Sequence, residues 1–330
     1  MTTDRNKIVD LGIDLAKGQL GNFSKSEAEE SLRAIFTEIL GEEKNMKRAF
    51  RANGHKLFTV MEDILDVLIT EGIEDQFADF VDYRNVAHGD RPVFMVDDYH
   101  LFNVATIASG TNALRRQRLE RTGNTVPTAY KGIKIYEELE RFLSGKVDWA
   151  KLISKVQASF NAQIGADIGA AIVTGYSALS APYTYTGTWD LTQFNTLMMH
   201  VEAATQREAM VVGQKLSLQK AVPSYVAYNG QVVADRNKDG FFKVVDGRNF
   251  YELKQSHIPG TDTFAIGNFL LVLPTTEEKI VKLVLEGEPE IVQSSNDNNA
   301  NADDSVEYTF KKKYGVSVLT STKYGVYIPS

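Results

Sequence analysis

Cysteine is absent from all 330 residues. That excludes a disulfide framework, a thiolate zinc site and a cysteine nucleophile, and it leaves the compartment open. Long apolar runs are absent too. The longest, such as residues 269–273, fall far short of the ~20 residues a membrane helix needs. An excess of positive charge is also missing. With 36 Lys and Arg against 43 Asp and Glu the net charge is −7, so tight electrostatic wrapping of nucleic acid by the whole chain is not expected. Residues 1–6 are polar and show no secretory signal, so a soluble protein of the cytoplasm is the expectation.

Catalytic signatures are missing as well. There is no HExxH, P-loop, GxGxxG or GxSxG pattern. His55, His88, His100, His200 and His257 show no metal-ligand spacing. They read as structural or surface residues, with a metal or acid–base role as the alternative. The acid pairs Glu137-Glu138 and Glu277-Glu278 sit among polar residues and read as solvated faces, not a tuned dyad. Neither an enzyme activity nor a cofactor is expected.

What is present is ordinary for a soluble globular protein: 43% hydrophobic and 24% charged. The length suits one large domain or two to three lobes, with core enough to need no staple. Helices come first. Ser26 and Glu29 form a capping box. Leu32, Ile35, Phe36, Ile39 and Leu40 follow at helical spacing, and Gly41 stops the run. A second run carries Phe50, Leu57, Phe58, Met61, Ile64, Leu65 and Leu68, and Gly72 closes it. These helices either pack on themselves or form an arm that lies on a neighbouring subunit.

Residues 76–135 change character. Segments 91–96, 103–107 and 125–135 read as strands, and Gly123-Asn124 as a turn. Together they make a long polar two-stranded excursion. An isolated hairpin is marginal in water, so this one is expected to lean on another chain. Further on, Asp148 is the expected N-cap of a helix over 148–176. Its stripe is Trp149, Ile153, Val156, Phe160, Ile164, Ile168 and Ile172, and its length about 40 Å. Gly165, Gly169 and Gly175 lower its propensity and would let another backbone approach. Lys151, Lys155 and Asp167 exclude a membrane dimer motif.

Residues 181–187 read as a linker. Residues 190–208 read as a helix with Phe194, Leu197, Met198 and Val201 on one face, and 210–213 as a strand. Strands then dominate: 225–233 with an Asn229-Gly230 hairpin, 263–266, 269–273, 280–285, 306–314 and 316–328, with a polar loop at 293–304. No solenoid repeat occurs, and helices followed by strands without βαβ alternation give an α+β class.

Two charged motifs carry chemistry. Asp235, Asn237, Asp239 and Gly240 have calcium-loop spacing, but position twelve is Asp246 in place of the bidentate Glu. The segment is either a weak metal site or a polar hairpin turn at Asp239-Gly240. Segment 112–124 holds Arg115, Arg116, Arg118 and Arg121 against one acid, Glu120. These arginines are a solvated face, a nucleic-acid contact or an inter-subunit contact. No aromatic residue interleaves them, which speaks against nucleic acid. Arginine suits multidentate contact with carboxylates, so the favoured partner is an acidic surface of a neighbouring copy, for example Glu286, Glu288 and Glu290.

The order of elements resembles the tailed-phage major capsid proteins of the Hong Kong ninety-seven-type fold. Tyr83-Arg-Asn-Val-Ala-His-Gly-Asp-Arg-Pro-Val-Phe94 resembles the entry to that family's extended loop. Tyr130-Lys-Gly-Ile-Lys-Ile-Tyr-Glu-Glu-Leu-Glu-Arg-Phe-Leu143 is similar to its return strand and the start of the spine helix. Leu197-Met-Met-His-Val-Glu-Ala-Ala-Thr205 with Val211-Val-Gly-Gln-Lys215 resembles the axial helix and strand. Ile280-Val-Lys-Leu-Val-Leu-Glu-Gly-Glu288 and Tyr308-Thr-Phe-Lys-Lys-Lys-Tyr-Gly-Val-Ser-Val318 resemble the closing strands. The likeness covers residues 75–330.

The resemblance implies an N-terminal helical arm at 1–75, an extended β-hairpin loop at 92–135, and a peripheral domain at 76–91 and 136–189 with the spine helix. It implies an axial domain at 190–279 and peripheral closing strands at 280–330. It further implies a virion shell, built in a bacterial host cytoplasm from pentamers and hexamers of this chain, that encloses double-stranded DNA with little specific binding. Portal and decoration proteins would be further partners, and no membrane is involved. An encapsulin-like compartment shares the fold and is the alternative; a calcium-dependent binding module is a third reading. The loop tip at 112–124 has no lysine, so the loop-lysine cross-link of some members is not expected. The arm is short for an internal scaffold, so a separate scaffolding protein is expected.

Overall fold

The protein's structure, a computed structural model, describes residues 2–17, 25–41, 46–97, 101–109, 114–138, 149–177, 179–221, 236–275, 279–293, 305–319 and 323–329. The chain opens with three helices, α1 (Thr2–Lys17), α2 (Lys25–Leu40) and α3 (Met46–Phe77). α2 begins at Lys25, so Ser26 lies inside the first turn and not at the cap expected of it. Its end is as expected. Gly41 has φ +91, and its amide donates to the Thr37 carbonyl at 3.0 Å, the left-handed stop that glycine permits.

Gly72 does not close α3, which continues to Phe77. The glycine serves a helix crossing instead. On α4 (Trp149–Tyr176) the Asn161 amide fills the space a Gly72 side chain would need, and Gln157 Nε2 donates to the Leu68 carbonyl at 3.1 Å. The α4 stripe is buried from Ile153 to Ile172. Asp148, its expected cap, lies outside the described residues. A Cβ at Gly169 would sit 3.2 Å from the Ala265 carbonyl oxygen, so this glycine does admit a second backbone. Leu15, Leu32, Leu57 and Ile64 share one core with α4 and the neighbouring sheet. Within one chain the described N-terminal helices pack on one another and also on α4 and the sheet.

The strands are β1 (Val81–Val86), β2 (Val93–Asp97), β3 (Arg121–Thr125), β4 (Ala129–Glu138), β5 (Thr184–Gly187), β6 (Ala209–Gly213), β7 (Val244–Val245), β8 (Arg248–Glu252), β9 (Leu270–Pro274), β10 (Val281–Gln293), β11 (Ser305–Val318) and β12 (Gly325–Pro329). One sheet has the order β1-β10-β11-β4, parallel at β1 and otherwise antiparallel. Its inner face supplies Leu283, Tyr308, Phe310 and Tyr314 to the helical core. The register of β10 against β11 slips between Glu286 and Glu290, where Gly287 has φ +69; this is a β-bulge.

β11 runs unbroken through Gly315, where a break between two strands was expected. The carbonyl of Pro127 occupies the space of a Gly315 side chain. The glycine marks a close backbone approach, not a strand end.

A second sheet has the order β5-β12-β9-β6-β8-β7. Helix α5 (Leu191–Thr205) packs Phe194, Leu197, Met198 and Val201 on it. Asp190 caps α5, accepting from the Thr192 amide at 2.8 Å. Arg248 ties β8 to the same helix through a two-pronged pair with Glu202, both bonds 2.7 Å. Residues 184–187 are a strand and not the expected linker. They pair parallel to β12, and Tyr185 stacks on Tyr327 at 4.8 Å. β12 therefore joins the sheet of α5, away from the other closing strands. Residues 263–266 form only a single bridge, His257 to Phe264. The expected hairpin at 225–233 and most of the polar loop at 293–304 lie outside the described residues.

Candidate functional site

Within the segment 92–135 expected as the extended loop, only residues 93–125 leave the body as a two-stranded ribbon, while 129–135 lie in β4 and pair with β11 in the body sheet. β2 and β3 pair antiparallel from Val93–Thr125 to Asp97–Arg121. Gly123-Asn124 is not the turn expected from its residue types but lies inside β3, opposite Met95 and Phe94. Without a side chain, Gly123 leaves room for Val93 and Met95, which would stand 2.9 and 3.3 Å from its Cβ. Residues 103–107 form no strand. There the two limbs are clasped by one side chain: Gln117 accepts from the Asn103 amide and donates to the Asn103 carbonyl, each at 2.7 Å. The clasp imitates a strand pair with a side-chain amide.

The described parts of the outer loop, 101–109 and 114–120, are apolar and basic and are exposed. Leu101 is 75% exposed and Val104 92%, with Phe102, Ile107, Leu114 and Leu119 also exposed. Arg115, Arg116 and Arg118 are exposed between them, and Arg121 opens β3 opposite Asp97. So many large exposed apolar side chains are unusual on a lone soluble chain. Of the acids offered as their partners, Glu286 is unsuitable. It is 2% exposed and already bonded within its own chain. Glu288 and Glu290 are exposed. They lie close enough to Glu62 that, after burial, their charge and that of Asp63 help push its carboxyl up.

Glu286 belongs to the loop's root, which sequence reasoning missed. Its Oε1 accepts from Lys313 Nζ at 2.6 Å and from the Gly89 amide at 2.8 Å, and its Oε2 from the Thr128 hydroxyl. These bonds, led by that from Lys313, hold the carboxyl at about 2. His88 Nδ1 stands 3.7 Å from Oε1, and its Nε2 is 3.3 Å from the Tyr130 hydroxyl. A cavity of about 230 Å³ opens beside them, lined also by Arg91 and Val126. Next to it Phe94 is buried on Val126 and Val284, with Arg84 at 4.2 Å and Lys282 at 5.2 Å from its ring. No local sequence signal sets Glu286 apart from Glu288 and Glu290, which follow it at alternate positions.

The candidate calcium loop is dispersed. Asp235 lies outside the described residues. Asn237 and Asp239 lie in a single helical turn at 236–239, and Asp239 pairs with Lys243 at 3.1 Å. The hairpin turn is Asp246-Gly247 and not Asp239-Gly240. Asp246 has φ 50 and Gly247 φ 81, joining β7 to β8, the doubly left-handed geometry such turns need. Among the described residues no group of three or more carboxylates or histidines is placed to hold a metal.

The fold aligns with a chain from the asymmetric unit of the bacteriophage PhiM1 mature capsid. The TM-score is 0.52 at 10% identity, over 77% of this chain and 86% of that one. A chain from Microbacterium phage Oxtober96 aligns at 0.49 and 13% identity, over 75% of this chain and 89% of that one. A chain of the virus-like particle from Pyrococcus furiosus aligns at 0.45 and 12%, over 80% and 97%. No curated protein matches the chain. The likeness to the first of these is one of fold, the Hong Kong ninety-seven-type arrangement expected from the sequence. The profile of a family described as "SPbeta prophage-derived putative capsid protein YonB" matches residues 7–327, and the chain belongs to this family: it is a phage capsid protein, a structural component of the virion and not an enzyme.

Proposed function

We propose that this chain is the major head protein of a tailed double-stranded DNA phage, assembling through pentamers and hexamers into an icosahedral shell around the genome. The observation that carries the reading is the loop at 92–135, whose apolar and basic tip stands out from its own chain. Such a surface is costly for a lone molecule and is stabilised when symmetry repeats one contact between copies. On this reading Arg115, Arg116, Arg118 and Arg121 meet exposed carboxylates of a neighbour, among them Glu288 and Glu290.

The parts then take separate roles. Residues 1–75 are the N-terminal arm, folded back on the peripheral sheet and spine helix. Residues 76–91, 136–189 and 280–330 form most of the peripheral domain. Residues 190–279 form the axial domain around the five- and six-fold axes, with β5 and β12 completing its sheet. Net negative charge suits a container that encloses DNA without gripping it. A separate scaffolding protein, a portal and decoration proteins are the further partners. Light-scattering mass of the purified chain tests the assembly: pentamers, hexamers or larger closed species are expected, and a monomer at every concentration, with a candidate scaffold added, would refute it.

A further inference from the structure

We propose that Glu286 is a latch that fixes the angle of the extended loop to the body. The loop leaves and rejoins the body at two short links, residues 87–92 and 126–128, and Glu286 bonds to both. The Gly89 amide reaches it from the outgoing link at 2.8 Å, and the Thr128 hydroxyl from the returning one. Lys313 on β11 anchors the carboxylate at 2.6 Å. His88 to Tyr130, at 3.3 Å, ties the outgoing link to the start of β4.

The position of Glu286 suits the role. It is the last residue of β10 in register before the bulge at Gly287, so its backbone is held by the sheet on one side and bends away on the other. Behind it Lys312, pointing to the opposite face, donates to the Gly287 carbonyl at 2.8 Å and to Asp66 at 2.6 Å. The bulge is thereby pinned to α3. Beyond the latch, the ribbon's apolar anchorage is Phe94 and Val126 against Val284, with Val86 beside them, and the buried Val96. With the latch gone, these apolar contacts, the cations on Phe94 and the Pro127–Gly315 contact are what still set the ribbon's angle. The 230 Å³ cavity at the root provides space for the links to move. The charged groups against Glu286 are Lys313 and His88; Arg91 lines the same cavity, and among the described residues no second carboxylate lines it.

The inference rests on the shell reading only for its purpose, setting how the loop meets a neighbour. The latch itself belongs to the single chain. The test is amide hydrogen exchange on the unassembled full-length protein, wild type against Glu286→Gln and Thr128→Val, followed by assembly of each. Removing the charge, or one link's hydroxyl, should speed exchange across 87–91 and 126–128 by about tenfold, the scale of one charge-assisted hydrogen bond. Amides of β10, β11 and α4 should keep their protection, which separates a released loop from an unfolded body. Equal exchange at both links in the wild type and the variants would overturn the latch. Should wild-type chains fail to assemble while the exchange pattern appears, the shell reading falls and the latch stands.

Discussion

Gly315 and Pro127 touch through their backbones: the Pro127 carbonyl oxygen lies where a side chain on Gly315 would begin. The contact lets the loop's returning link cross β11 at close range, next to Glu286 and Lys313. Gly315→Ala pushes a methyl group into a carbonyl that cannot rotate away. The expected loss is about 1–3 kcal/mol, the range for forced overpacking, read as a lower urea midpoint with unchanged slope.

Lys312 is 2% exposed, and its ammonium is held by Asp66 and the Gly287 carbonyl. Asp66→Ala strips that ammonium of its counter-charge. It should cost about 3 kcal/mol, toward the low end for breaking a buried pair because Asp66 is one-third exposed. The double replacement Lys312→Met with Asp66→Leu removes the pair whole, leaves no unpaired charge, and should change stability by less than about 1 kcal/mol. Paired urea melts of the two variants check the asymmetry.

Acid acts on the Glu286 latch in a definite direction. The carboxyl is held at about 2, below its ordinary 4.5. Its contribution is therefore full above pH 4.5 and is lost as pH falls from there toward 2. The stability gap between wild type and Glu286→Gln should be widest above pH 4.5 and close across that window. A gap that stays constant through it would assign the effect to shape and not to charge.

Replacing Arg115, Arg116 and Arg118 together by Glu should abolish assembly and leave the chain folded. These side chains are exposed, and surface substitutions of this kind change stability by about 0.5 kcal/mol or less. Circular dichroism and sedimentation velocity on the same sample separate the two effects. Normal shells from this variant would remove the loop-to-neighbour contact.

The helices and the strand-rich remainder were legible wherever one face repeats, as with Ile153, Val156, Phe160 and Ile164 on α4. Glycines misled the reading of the boundaries. Gly72, Gly123 and Gly315 look like stops or turns, yet each lies inside an element where another group fills the missing side chain's space. That reason is tertiary and leaves no local trace. The basic loop tip was legible because like charges cluster in sequence. Its root was not, because Gly89, Thr128, Glu286 and Lys313 come from four separate stretches. Glu286 itself reads as a surface acid until its partners are known.

Electron microscopy of negatively stained protein expressed alone tests the central claim most directly. Closed shells, tubes, or discrete pentamers and hexamers are expected. Dispersed single chains at high concentration, unchanged by a candidate scaffold, would contradict a shell-forming role.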